Sequence, residues 1–246
     1  MGTSIFLKGE WRNLIMINYE IDPEILTGYL PPHTELDNFN GKHYVSLVGF
    51  LFKDSKVKGI IVPYHRTFEE ITLRFYVRHI GPDGILKRGV VLIKEIATKK
   101  ISAPVAGKIF GENQEACDTR HLWSNPTEDK VSVEYMWKRT ADWDWISVTA
   151  TGVSYFPKQK TEEQFITERN RVYSKGKKDT TTVYNVEHSN WRIHTVHYSD
   201  INCNFEKNFG KDFAYLNKAK PASVFLADGS AITMGNRQKL ELETSR

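Results

Sequence analysis

The residues best suited to chemistry alternate along one stretch, Phe68-Glu69-Glu70-Ile71-Thr72-Leu73-Arg74-Phe75-Tyr76-Val77. Ile71, Leu73, Phe75 and Val77 occupy every second position, the period of a β-strand with one buried face. The opposite face carries Glu70, Thr72, Arg74 and Tyr76: an acid, a hydroxyl, a base and a phenol. A solvent-facing strand accounts for that set, and half-exposed strands are common. So does the wall of a polar ligand cavity, where a buried glutamate moves protons and a guanidinium holds an anion.

Other constellations are weaker. His194-Thr195-Val196-His197 is a close pair with His188 nearby, but the run from Trp191 to Tyr198 reads as a strand. Positions three apart then point to opposite faces, and no Cys or carboxylate cluster completes a zinc shell. Structural histidines are expected, with no metal and no cofactor. Cys117 and His121 lie four residues apart in a polar stretch, a poor nucleophile–base pair. A Gly-x-Ser-x-Gly elbow, a phosphate loop and a dinucleotide fingerprint are all missing from the sequence.

The elements that must position the polar face are mostly strands. Trp11–Tyr19, His43–Phe52, Val90–Ile96, Val131–Lys138, Trp145–Phe156, Thr181–Val186, Trp191–Tyr198 and Ser223–Leu226 are β-rich, and Ile60–Val62 is a short apolar piece. Gly81-Pro82-Asp83-Gly84 joins the central strand to Val90–Ile96 as a hairpin. Asp22-Pro23 opens a short helix stopped at Leu30-Pro31-Pro32. Ser102–Phe110 reads as a helix, and Gly111–Arg120 as irregular. The capping box Thr161-Glu162-Glu163-Gln164 starts a helix expected to reach about Tyr173, with Phe165, Ile166, Arg169 and Val172 toward the sheet. Asp142-Trp143-Asp144-Trp145 reads as a twisted hairpin end with half-buried tryptophans; exposed indoles would instead make an interaction surface.

Composition narrows the class. The 246 residues are 40% hydrophobic and 12% aromatic, enough for one large β-rich domain over residues 1–246. The net charge of +4 comes from scattered basic residues rather than a stripe, which argues against a nucleic-acid partner. No run of about 18 apolar residues occurs, so no membrane span is expected. Two cysteines without paired spacing, Cys117 and Cys203, and a start without signal-peptide blocks lead to an expected cytoplasmic setting.

At Trp11-Arg12-Asn13-Leu14, Asp22-Pro23, Leu30-Pro31-Pro32, Leu36-Asp37, Phe68-x-Glu70-Ile71 and Ala106-Gly107-Lys108, the order and spacing resemble the acetoacetate decarboxylase-like superfamily, in its branch of uncharacterised conserved proteins. The likeness runs from about residue 9 to 120 and extends through Glu168-Arg169 and His188-x-x-Trp191. It implies a mostly β (α+β) fold with a central antiparallel conical β-barrel, a few peripheral helices and a small buried pocket. It also implies Arg12 as the anchor for a substrate carboxylate and Glu70 as acid/base. Arg74, Tyr76, Lys108, Glu112 and Glu115 would complete a site for a small carboxylate or carbonyl compound. Homo-oligomers occur in the superfamily and are left open here. The chain departs from the decarboxylase pattern where a Schiff-base lysine belongs: Gly111–Cys117 has none, and no lysine falls between Lys108 and Lys130. Lyase-type proton transfer without an iminium is the expectation, with a non-catalytic ligand-binding or sensing module as the alternative.

Overall fold

A computed structural model describes residues 5–61, 66–98, 114–124, 127, 129–139, 141–177 and 180–240. The fold is mostly β. Its strands are β1 (Ile5–Glu20), β2 (Glu35–Leu36), β3 (Tyr44–Val57), β4 (Ile60–Ile61), β5 (Thr67–Ile80), β6 (Leu86–Thr98), β7 (Gln114–Trp123), β8 (Val131–Lys138), β9 (Asp144–Tyr155), β10 (Arg171–Lys175), β11 (Thr181–His188), β12 (Ile193–Asn202), β13 (Ser223–Gly235) and β14 (Gln238–Lys239).

The pairings close on themselves. β1, β3, β5, β6, β10, β11 and β13 form a ring in which each strand is bonded to the next and β13 returns to β1. A second circuit leaves β6 through β7, β8, β9 and β12 and rejoins at β13. Pairing is antiparallel except for β6 with β10 and with β7. The strands common to both circuits therefore bury both faces. On β5, Ile71, Leu73, Phe75 and Val77 enter one apolar cluster, with Tyr135, Trp137, Phe205 and Phe213. Phe68 and Tyr76 enter the other, with Leu14, Met16, Val48 and Phe50. The polar face of β5 is thus inside the seven-strand ring, not in solvent: Glu70, Thr72 and Arg74 are all buried.

Two β-bulges set which side chains face that interior. In β1, Asn13 has φ 54°, and pairing with β3 slips between Arg12 and Ile15. The slip changes the phase of the strand, so Trp11 and Leu14 both pack inside the ring while Arg12 points away. In β6 the register with β5 slips at Ile93, which brings Glu95 onto the same side as Val90 and Leu92.

Several elements depart from the sequence expectation. Gly111–Arg120 is not wholly irregular, since β7 starts at Gln114 beside β6. The helix capped by Thr161 ends at Thr167, because Glu168 leaves helical geometry with ψ 73° and the β-prone run Arg171–Lys175 pairs with β11. The helices Phe205–Phe209 and Lys211–Asn217, with no counterpart in the sequence reading, close the second circuit with Phe205, Phe209, Phe213 and Leu216. The expected helix Ser102–Phe110 lies outside the described residues. Asp142–Trp145 joins β8 to β9, with Arg120 over the Trp143 ring and Trp145 Nε1 donating to Asp200 at 2.8 Å. His194 is buried between the Thr151 carbonyl (2.7 Å) and Asp228 (2.6 Å), whereas His197 is exposed.

Gly229 of β13 faces Arg12 at the β1 bulge with φ 78°, and a Cβ there would overlap the Trp11 carbonyl. Gly229→Ala should cost about 2–4 kcal/mol, combining positive-φ strain with a steric clash. Gly28→Ala meets nothing within 4 Å and is the control, expected within about 1 kcal/mol of wild type. Urea denaturation followed by tryptophan fluorescence measures both.

Candidate functional site

The interior of the seven-strand ring holds a cavity of about 40 Å³. At about 10–15 Å³ per water position, that is room for roughly three water-sized groups. Its polar lining comes from Glu70, Thr72 and Arg74 of β5, Glu95 of β6, Tyr184 of β11, Arg169 and Trp11; the remainder is aliphatic and aromatic.

Along β5 the polar groups succeed one another every two residues, about 7 Å apart, so Glu70 and Arg74 have their Cα atoms about 13 Å apart and converge through their side chains. This gives the cavity an acidic end and a basic end.

At the acidic end Glu70 and Glu95 are fully buried and hydrogen bonded to each other. Burial first, then the charge of Glu95 and the hydrogen bond with it, pushes the Glu70 carboxyl well above the ordinary 4.5. Burial likewise raises Glu95, to about 8, against the opposing pull of the Arg237 guanidinium and the Glu70 hydrogen bond. Two carboxyls so placed cannot both ionise at neutral pH, and the pair holds at least one proton there. Trp11 belongs to this end: its ring lies 5.4 Å from Phe50, the direct cross-strand partner of Glu70.

At the basic end, Arg169 is held by three contacts. Its Nη1 donates to Asp37 at 2.8 Å, its Nε to the Phe165 carbonyl at 2.7 Å, and its guanidinium lies 4.0 Å from the Phe165 ring centroid. The helix Glu162–Thr167 is pinned over this end through Tyr44, whose hydroxyl donates to Glu162 at 2.9 Å. Arg74 donates to the Ile166 carbonyl at 3.3 Å, and among the described residues it has no carboxylate within 4.0 Å. A buried guanidinium without a counter-ion is costly, and ordinarily something anionic meets it.

Three buried donors on cavity-lining residues have no hydrogen-bond partner among the described residues: Arg74 Nε, Arg169 Nη2 and Trp11 Nε1. Each can only donate. The residues lining the cavity therefore carry buried N–H groups without a partner among the described residues at both ends, and an acid pair that holds on to protons at one.

The sequence-expected residues divide cleanly. Glu70 and Arg74 line the cavity. Tyr76 lies beyond the basic end, bonded to Ser46 at 2.7 Å and 5.1 Å from the Arg169 guanidinium. Arg12 forms no ion pair with Glu70; it pairs with Glu10 at 2.8 Å and its side chain is 39% exposed, because the bulge that turns Trp11 inward turns Arg12 outward. Glu115 does not line the cavity either. It sits on β7 between Lys94 (3.3 Å) and Arg139 (2.5 Å), and despite partial burial these cations hold it below the ordinary carboxylate range. Lys108 and Glu112 lie outside the described residues. Glu95, Arg169, Tyr184 and Trp11 were not singled out as site residues from the sequence. Glu95 carried a signal in being one acid inside the apolar run Val90–Ile96, and Arg169 in falling on the sheet-facing side of its helix.

The chain belongs to the family of uncharacterized conserved proteins designated DUF2071, whose model matches residues 8–231. It is 29% identical over 80 residues to the uncharacterized protein YqjF of Bacillus subtilis (strain 168), a match that spans 32% of this chain and 33% of that one. In backbone it is similar to an acetoacetate decarboxylase-like enzyme from Sphingomonas wittichii RW1, with TM-score 0.65 and 11% identity over 96% of this chain and 93% of that one. The enduracididine biosynthesis enzyme MppR, solved in complex with pyruvate, superposes with TM-score 0.64 and 11% identity over 98% of this chain and 92% of its own. Acetoacetate decarboxylase from Legionella pneumophila subsp. pneumophila str. Philadelphia 1 gives 0.60 and 16%, over 98% and 89%. Identities this low establish the acetoacetate decarboxylase-like fold and nothing finer.

The raised carboxyls make stability depend on pH with a definite sign. Between the ordinary 4.5 and about 8 the folded chain retains a proton that the unfolded chain has released, so stability falls as pH rises through that window. His194 works in the same direction, since its pKa is raised chiefly by the Asp228 hydrogen bond and its contribution is lost above its folded value. Comparing Glu95→Gln with wild type cancels the His194 part. From about pH 5 to about pH 8 the variant should gain on the order of 2 kcal/mol relative to wild type in urea titrations; parallel curves would mean an ordinary, ionised Glu95.

Proposed function

We propose that this protein binds a small carboxylate that also carries a carbonyl, and moves a proton at the carbon beside that carbonyl. The observation that carries the reading is the coincidence, on the residues lining one small cavity, of donors of Arg74, Arg169 and Trp11 that have no partner among the described residues with a carboxyl pair that retains a proton. In this reading the carboxylate lies on the free N–H groups of Arg74 and Arg169, so the anchor is Arg74 rather than Arg12. A guanidinium suits it by geometry as well as charge. The Trp11 indole N–H, beside Glu70, receives the carbonyl oxygen, where charge develops when a proton leaves the adjacent carbon. Glu70 gives its proton to that carbon or, once its own proton has passed to ionised Glu95, accepts one from it. Glu95 resupplies it: Glu95 lines both the cavity and the outer groove beside β6, whereas Glu70 lines the cavity alone.

Iminium chemistry is not part of this reading. No lysine lines the cavity among the described residues, and none occurs between Lys108 and Lys130. A primary amine of depressed pKa is what a Schiff base requires.

Four measurements test the proposal. Pyruvate and other small 2-oxo acids should raise the melting temperature of wild type. Arg74→Gln should weaken their binding at least about tenfold, with Arg12→Ala within about twofold of wild type; the reverse order would put the anchor at Arg12. Solvent deuterium should enter the carbon next to the carbonyl, followed by NMR, and Glu70→Gln should abolish exchange while the acid still binds. Binding without exchange in wild type would make the protein a binding or sensing module instead. Acetoacetate should yield no carbon dioxide; release abolished by a single Lys substitution would contradict the account.

A further inference from the structure

The pair His188-x-x-Trp191 connects two of the residues that line the cavity, Arg169 and Trp11. His188, the last residue of β11, is half-buried. Its ring stacks on Trp191 with centroids 4.4 Å apart and planes 23° from parallel, and Trp191 meets the Trp11 ring edge-on at 6.1 Å. Trp191 is itself fixed, since its Nε1 donates at 3.1 Å to Ser230, the cross-strand partner of Trp11. On the other side β11 holds the loop that carries Arg169. The Arg169 carbonyl faces His188 Nε2 at 3.1 Å, and the Asn170 carbonyl accepts from the Val186 N–H at 2.9 Å.

Both ring nitrogens of His188 face backbone carbonyl oxygens, for Nδ1 lies 2.9 Å from that of Ser189. A carbonyl oxygen only accepts, and a neutral imidazole has one N–H and one lone pair. Whichever tautomer forms, a neutral ring turns its lone pair toward one of the two oxygens. The imidazolium, with two N–H groups, satisfies both. A cation also suits a stacked position over an indole face.

From this we propose that His188 is a positioning residue of the ligand site and acts as an imidazolium: it fixes the main chain of Arg169 on one side and the Trp191–Trp11 pair on the other. The inference rests on the reading of Arg169 and Trp11 as groups that meet the ligand. Histidine is the side chain whose charge changes around neutral pH, so the site tightens as pH falls and this ring gains its proton. The charged groups on the elements around it have other partners or face away. The Arg169 guanidinium is held by Asp37 and the Phe165 carbonyl, and Glu168 accepts from Gln164. Arg192 donates to Ser154, and Asp228 is paired with His194. Glu10 and Arg12 pair with each other on the face of β1 opposite Trp11, and Glu187 is exposed on the far face of β11. The residue of β13 opposite His188 is the apolar Ile232. Glu70 lies beyond Trp11, next to Phe50, and titrates together with Glu95.

Two measurements on the full chain test this. In the free protein, NMR follows the His188 ring and the Trp11 indole N–H through a pH titration, with His188→Gln and Trp11→Phe supplying the assignments. The Trp11 resonance should show a step at the same midpoint as the His188 ring, and the step should be absent in His188→Gln. A Trp11 resonance without that step in wild type would overturn the proposal with no ligand involved. Titration calorimetry with pyruvate then compares wild type with His188→Gln, whose amide still donates a hydrogen bond but carries no charge. The Glu70–Glu95 pair titrates in both proteins and cancels in the ratio of their affinities. Wild type should bind within about twofold of the variant at about pH 8 and at least about threefold more tightly at about pH 5.5. A ratio that does not change with pH would overturn the imidazolium role and leave the cavity reading intact. Binding of pyruvate to neither protein would overturn the cavity reading, and the proposal with it.

Discussion

Everything at this site depends on taking ionisable groups out of water inside a closed β-sheet. Glu70, Glu95, Arg74 and Arg169 are all less than a tenth exposed. Each would be expensive alone, and the structure offsets the cost differently for each. Arg169 is paired with Asp37, a carboxylate itself only 1% exposed, and lies over an aromatic ring. The two glutamates are offset by protonation, which burial favours on both. Arg74 has a backbone carbonyl and a distant thioether and no carboxylate among the described residues. That residual imbalance is what a ligand anion would relieve. A pocket evolved only for stability would more easily be filled with aliphatic side chains, since replacing buried ionic groups by apolar ones is often neutral or favourable.

The ring does more than exclude water. Strand alternation would place Trp11 and Leu14 on opposite faces, and Leu92 and Glu95 likewise. Two one-residue bulges, at Asn13 and Ile93, cancel that alternation and deliver all four side chains to one interior. The same shift that brings in an indole N–H sends Arg12 to the surface. The position of one extra residue in β1 thereby decides which donor reaches the cavity, and Gly229, opposite the adjacent Arg12, permits the close approach of β13.

Much of the architecture was legible because it rests on local periodicity. Strong alternation and turn chemistry marked the strands and the β5–β6 hairpin, and Val131–Lys138 falls at the observed limits of β8. The polar face of β5 was legible as a set but not as a location: alternation looks the same whether the polar side meets solvent or a lined cavity, and only ring closure tells them apart. The outward turn of Arg12 was not legible because a bulge leaves almost no mark in a single sequence; Asn13, tolerant of positive φ, is the one hint. The helix at Thr161 was expected to run to about Tyr173 because its capping box fixes a start and says nothing of its end. Glu95 and Arg169 reach the site from strand pairing and from a loop after a short helix, contacts made across large sequence separations.

The most direct test of the account is the protonation of the buried acid pair. Infrared difference spectra at pH 7 between wild type and Glu70→Gln, with glutamate labelled by carbon-13 to fix the assignment, report whether a neutral carboxyl is present. A wild-type band from a protonated glutamate carbonyl, shifted by the label and altered in the variant, is the predicted result. Spectra showing only ionised glutamate carboxylates would mean that no proton is held between Glu70 and Glu95, and would contradict the proposed proton transfer at its source.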